Sequence, residues 1–183
     1  MNLFLIGFMG AGKSAVGSRL AARMETDFVD LDSIIEVEAD LPVAEIFARE
    51  GEDGFRRLEH SVLRGVCSAE RDRVVATGGG TPASRENRDL MRTSGMTLWL
   101  DPPLELILSR LGDKSRSRRP LFESPARARE LFRQRRAAYA AADLRVEPVE
   151  GDSADQTVQR VIDCLKEHPV GSQLVGGRES SER

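Results

Sequence analysis

The run Gly7-Phe8-Met9-Gly10-Ala11-Gly12-Lys13-Ser14 meets every fixed position of the G-x-x-x-x-G-K-[ST] phosphate-binding pattern. In such a loop, backbone N–H groups turn inward around the α- and β-phosphates of a nucleotide. The lysine reaches the β/γ-phosphates and the hydroxyl ligates Mg2+. The flanks suit that chemistry. Asn2 to Ile6 reads as a short buried strand, and Ser14 to Met24 as a helix whose positive dipole end opens on the loop. The competing reading is a glycine-rich turn that binds nothing.

Further residues carry chemistry at suggestive spacings. Asp30 and Asp32 close a second strand-like run, at the rim where ligands gather in an open parallel sheet. One carboxylate would order Mg2+-bound water while the other faces an acceptor hydroxyl; alternatively the pair caps a helix. Arg56 and Glu59 lie three apart on a helix, either as a weak surface pair or as a guanidinium fork steadied by a carboxylate. Gly78-Gly79-Gly80 follows a buried strand directly, where backbone without Cβ lets a ligand approach or offers N–H donors. The basic stretch Lys114 to Arg119 is either a solvated charge run or a lid that brings a guanidinium to a transferring phosphoryl group. No aromatic residues interleave with it, which disfavours nucleic acid. Arg135 stands four residues before Tyr139 and points back under such a lid. Trp99 reads as core. His60 and His168 have no partners at metal-ligand spacing.

Strand-like and helix-like segments alternate through most of the chain, which predicts an α/β fold with a parallel sheet. Strands are expected at 27–30, 73–76, 96–100 and 144–146 besides the first. Helices are expected over 33–38, 43–50, from Phe55 onward, 85–91, 104–111, 126–142 and around 158–165. The pattern breaks from Gly112 to Glu123. With 183 residues, 40% hydrophobic and 31% charged, one soluble domain is expected over 1–168, with a disordered tail over 169–183. The formal net charge of −3 gives no general attraction to nucleic acid. No apolar run is long enough to span a bilayer. The apolar start lacks a basic region and cleavage site, so a cytoplasmic protein is expected. Cys67 and Cys164 suggest reduced helix residues, not a disulfide framework.

Taken in order, these blocks resemble shikimate kinase, a small P-loop phosphotransferase of the nucleoside-monophosphate-kinase type. The phosphate loop is followed by Phe28-x-Asp30-x-Asp32, Phe55-Arg56-x-x-Glu59, Gly78-Gly79-Gly80-Thr81, Trp99-Leu100-Asp101, Arg119-Pro120-Leu121 and Arg135-x-x-x-Tyr139. The resemblance implies three α/β/α layers around a five-stranded parallel sheet, with a lid over about 112–123. It implies transfer of phosphoryl from ATP to the 3-hydroxyl of shikimate in aromatic amino-acid synthesis, with Mg2+ as cofactor. Gly10, Ala11, Gly12, Lys13, Ser14 and Ala15 would hold the nucleotide phosphates, Ser14 would bind Mg2+, and Asp30 would stand in its outer shell. Asp32 would be the candidate base. Arg56 and Arg135 would clamp the shikimate carboxylate, with Gly78, Gly79 and Gly80 against the substrate. Arg119 would stabilise the transferring phosphoryl group and Arg110 would lie against adenine. A monomer acting on small molecules, without nucleic acid or membrane, is expected. The alternatives are a gluconate kinase or a non-catalytic nucleotide-binding relative. The chain departs from the family pattern at Asp40-Leu41-Pro42-Val43, in the added charge of Lys114, Arg116 and Arg118, and at Pro148 to Ser153, which has no clear match.

Overall fold

The computed structural model describes residues 1–110 and 125–176. The elements run β1 (Asn2–Ile6), α1 (Lys13–Arg23), β2 (Asp27–Asp30), α2 (Leu31–Ala39), α3 (Val43–Ser68) and β3 (Arg73–Ala76). A 3-10 turn (Thr81–Ala83) leads to α4 (Arg85–Ser94), β4 (Gly95–Leu100) and α5 (Leu104–Arg110). After the break come α6 (Pro125–Tyr139), β5 (Leu144–Val146), α7 (Ala154–Glu167) and α8 (Gly171–Gly176). The expected lid, 112–123 with Lys114, Arg116, Arg118 and Arg119, lies outside the described residues, as do 177–183.

All strand pairings are parallel, in the five-stranded order β2-β3-β1-β4-β5. The chain goes from β1 to β2, then slips β3 between them and sends β4 to the other side. Connections therefore diverge at β1, and a crevice opens beyond its carboxyl end. Alternation along β1 builds the layers. Phe4 and Ile6 face a core with Leu31, Ile35, Phe55, Leu63 and Ile107, under α2 to α6. Leu3 and Leu5 face the opposite core with Val16, Leu20, Val158, Val161 and Leu165, under α1 and α7. Full burial of each such aliphatic side chain contributes about 1.5–3 kcal/mol.

Local chemistry accounts for the joints. Asp40 ends α2 in the left-handed region at φ 52°. That conformation is one aspartate tolerates better than most side chains. Pro42 then takes the N-cap of α3, and Glu36 Oε1 accepts from the Val43 N–H at 2.9 Å. The two helical runs expected around 43–50 and after Phe55 form one element, interrupted at Gly51 with φ 69° and ψ −175°. α6 stops at Tyr139, three residues short of expectation.

The tail needs a correction. Residues 171–176 form α8, whose Leu174 and Val175 pack on the core beneath α7. Leu174 and Val175, seven and eight residues past the end of α7, outweigh the polar composition around them. Cys67 and Cys164 are free and helical, and burial pushes both thiols up. Among the described residues no helix is long and apolar enough to cross a membrane.

Candidate active site

The phosphate loop turns on three left-handed glycines, Gly7 (φ 143°), Gly10 (φ 80°) and Gly12 (φ 97°). A Cβ on Gly7 would stand 2.4 Å from the Leu100 carbonyl oxygen, so the loop is pressed against the end of β4. Gly12 caps α1 without a side-chain acceptor, leaving the first-turn N–H groups for an anion. Lys13 Nζ donates to the Gly7 and Phe8 carbonyls at 2.9 and 3.0 Å. The cation therefore lies along the loop that it would help to charge. Ala11 is buried against the core below; Ser14 and Ala15 are exposed at the mouth.

At the end of β2 Asp30 caps a helix and also meets the phosphate loop. Its Oδ1 accepts from the Asp32 N–H at 3.1 Å as the N-cap of α2. Its Oδ2 accepts from Ser14 Oγ at 2.5 Å. A hydroxyl and a carboxylate at an exposed mouth are hard oxygen donors of the kind Mg2+ takes while keeping most of its waters. Among the described residues no cluster of three His, Cys, Asp or Glu forms. Asp32 sits deeper. Its carboxyl is raised above the usual range by burial first, then by Asp30; Lys13 acts in the opposite sense, and Glu59 and Glu36 raise it further.

Arg56 is held from one side. Its Nη1 donates to Glu59 Oε2 at 2.8 Å and its Nη2 lies 3.3 Å from Glu52 Oε1. Glu59 is fully buried, and its Oε1 accepts from Thr81 Oγ1 at 2.6 Å. Thr81 in turn gives its carbonyl to Asn87 Nδ2 at 3.1 Å, and Asn87 Oδ1 lies 2.8 Å from His60 Nδ1. The Arg56–Glu59 pair is thus the end of a buried network and not a surface pair. Asn87 and the structural use of His60 were not legible, because the partners come from separate helices with no common spacing.

The three glycines have a reason the sequence did not disclose. A Cβ on Gly78 would meet Asp32 Oδ1, Glu59 Oε1 and Thr81 Oγ1 at 2.9–3.0 Å; one on Gly80 would fall 2.4 Å from Arg56 Nη2. One on Gly79 would reach Met9 N at 3.0 Å and Arg135 Nη1 at 3.4 Å. The space is filled by the chain's own polar side chains, so the glycines let the loop lie flat among them. Gly80→Ala is accordingly expected to displace the Arg56 guanidinium and raise the KM for an acidic acceptor about tenfold, with the KM for ATP within about twofold. Steady-state kinetics with each substrate varied would check this; parallel rises in both constants would contradict it.

From the other side, Tyr139 Oη donates to the Gly79 carbonyl at 2.5 Å. Burial pushes this phenol up to about 12, against a lowering by Arg135 and Arg56. It stays protonated, and donating, throughout the neutral range. Arg135 stands beside it with its Cζ 5.9 Å from the Phe8 ring centre. Its Nη1 is buried without a hydrogen-bond partner among the described residues. An orphaned guanidinium N–H inside a site is an anion receptor waiting for its acceptor.

Arg110 ends α5 in an exposed position, away from these residues. It contributes to holding the Asp152 carboxyl below its usual range, after the larger effects of the Val149 N–H and Arg160. The 148–153 loop is shaped by that carboxylate, whose Oδ2 accepts from Val149 N and Arg160 Nε at 3.0 Å each. Arg119 lies outside the described residues. The structure therefore gathers Lys13, Ser14, Asp30, Asp32, Arg56, Gly78–Gly80 and Arg135 at one crevice, whereas the influence of Arg110 falls on Asp152.

Residues 9–166 match the model of the family described as Shikimate kinase. A "Shikimate kinase" of Geobacter sulfurreducens is 43% identical over 171 residues, covering 91% of this chain and 92% of its own. One of Symbiobacterium thermophilum is 40% identical over 171 residues, covering 91% and 97%. Among solved structures, shikimate kinase from Acinetobacter baumannii in complex with shikimate aligns at a TM-score of 0.83 and 32% identity, over 91% of this chain and 93% of that one.

Proposed function

The chain belongs to the shikimate kinase family, and on that premise we propose that it transfers the γ-phosphoryl group of ATP to the 3-hydroxyl of shikimate. The products are 3-phosphoshikimate and ADP, in the route to aromatic amino acids. The observation that carries the acceptor assignment is Arg135 Nη1, buried and unpartnered, at the glycine run that Arg56 reaches from the other side. Two guanidiniums on one backbone loop suit a planar carboxylate, which each can bind through paired N–H donors. Gluconate also offers a carboxylate, but the family match favours shikimate.

In this reading Gly10 to Ala15 cradle the phosphates and Lys13 leaves the Gly7 and Phe8 carbonyls for the β/γ-oxygens. Ser14 would hold Mg2+, with Asp30 in its outer shell; the ion, when bound, neutralises charge between the β- and γ-phosphates. Asp32 accepts the hydroxyl proton or orients the hydroxyl for in-line attack. Burial raises its proton affinity above that of an ordinary carboxylate. Arg56 and Arg135 hold the carboxylate, and backbone at Gly78 to Gly80 fixes the ring. Arg119 is assigned to the transferring phosphoryl group and Arg110 to the adenine edge. ATP and shikimate are the two partners. A cytoplasmic monomer is the working unit, because one chain brings together the assigned residues that are described.

The deciding experiment measures ADP release from Mg-ATP with shikimate, with gluconate and without acceptor. Release with shikimate alone is expected. Release with gluconate instead would keep the kinase and replace the acceptor; no release from a folded, ATP-binding protein would favour a non-catalytic relative.

A further inference from the structure

Asp101 directly follows β4 with a side chain only 2% exposed, and no role above uses it. Arg136 forks onto it, Nη1 to Oδ1 at 3.0 Å and Nη2 to Oδ2 at 2.9 Å. Arg145 from β5 donates Nε and Nη2 to the same Oδ2 at 3.0 and 2.6 Å. Both guanidiniums lie over the Trp99 ring, at 4.9 and 4.8 Å from its centre. Arg136 also lies 5.4 Å from the Phe132 ring centre. Removing the Asp101 carboxylate from water is costly, and its two arginines, 40% and 47% exposed, return little plain stability through solvent-screened pairs. What they do well is fix one geometry.

The geometry in question is that of α6. Arg136 directly follows Arg135, and Tyr139, one turn on, bonds the Gly79 carbonyl. Tyr139 alone tethers only the last residue of the helix; a second tether three residues earlier, about 60° round the axis, resists roll about that single bond. We propose that the Asp101–Arg136–Arg145 clamp is a positioning device. It sets the roll of α6 so that Arg135 Nη1 remains unpartnered and aimed at the acceptor carboxylate beside Gly79. The clamp acts through Arg135 and touches no reactant. This inference rests on the assignment of Arg135 to the acceptor carboxylate.

Arg136→Gln leaves Asp101 its Arg145 partner and so preserves a paired carboxylate. It is expected to raise the shikimate KM about tenfold with the ATP KM within about twofold. In an Arg135→Ala background the same change should add nothing further to the shikimate KM, since the clamp then has no guanidinium to aim. Arg136→Lys, which keeps a charge but not the fork, should recover only part of the loss. Asp101→Asn is the second variant, with the same split expected, and thermal melting of each variant runs alongside. An unchanged shikimate KM, equal rises in both constants, or a rise that persists in the Arg135→Ala background would overturn the proposal. If Arg135→Ala alone leaves the shikimate KM unchanged, the assignment of Arg135 fails first and takes the clamp's role with it. If Arg135→Ala raises it and Arg136→Gln does not, the clamp alone fails.

Discussion

Asp32→Asn is expected to lower kcat by about a thousandfold while ATP affinity stays within about twofold, the range that a well-placed acid–base group supplies. Asparagine keeps the shape and a hydrogen-bonding oxygen but takes no proton. Near-parental turnover, measured by ADP release beside calorimetric ATP binding, would remove Asp32 from the mechanism. The pH dependence has a definite sign. In its proposed role Asp32 must be ionised, and burial together with Asp30 raises its pKa above the ordinary carboxylate value. Activity should therefore fall with acidification at a higher pH than an ordinary aspartate would give.

Stability runs the other way. A carboxyl whose folded pKa exceeds its unfolded one binds protons more tightly in the native state, so its contribution to stability falls as pH rises from the unfolded to the folded value. Above both values the native state carries the cost of a buried charge among like charges. Asp32→Asn removes that cost and should melt at or above the parent temperature at neutral pH. An inactive variant that is also less stable would show that the carboxylate was holding structure instead.

Glu59→Ala carries the second large effect. One oxygen of this fully buried carboxylate holds Arg56 and the other holds Thr81. Truncation leaves Arg56 only its exposed Glu52 contact at 3.3 Å and the buried Thr81 hydroxyl without its carboxylate acceptor. The expected cost is roughly 2–4 kcal/mol of stability, counting partial solvent access at Arg56. That corresponds to a melting temperature lower by about 5–15 °C for a domain of this size. The shikimate KM should rise at least about tenfold, because Arg56 loses its orientation. Glu59→Gln keeps an acceptor for Thr81 and should fall between. A Glu59→Ala protein melting within about 2 °C of the parent, with an unchanged KM, would mean that Arg56 is placed by something else.

Periodicity located nearly every described strand, because each is a short apolar run closed by polar or glycine residues. What it does not contain is their order in space: β3 lies between β1 and β2 through pairings such as Leu3 with Val74 and Phe28 with Val74, and such distant partners leave no local mark. The phosphate loop was legible for the opposite reason, since its geometry is written in consecutive residues. Asp30 was readable as a cap or as a metal-side carboxylate; Oδ1 makes the cap, and Oδ2 accepts from Ser14 Oγ. The Asp101 clamp was not legible, because its arginines lie 35 and 44 residues onward in separate elements. The tail was misread where composition outvoted two apolar side chains, Leu174 and Val175.

The flat glycine run bears on how this enzyme would respond to an inhibitor. A compound seated on the backbone of Gly78, Gly79 and Gly80 would lean on a wall where any added side chain collides first with Asp32, Glu59, Arg56 or Met9. Changes that would push such a compound away also disturb groups assigned to the natural substrate. Selection for escape should therefore return substitutions elsewhere in the crevice, and a deep mutational scan under inhibitor pressure should find those three positions closed.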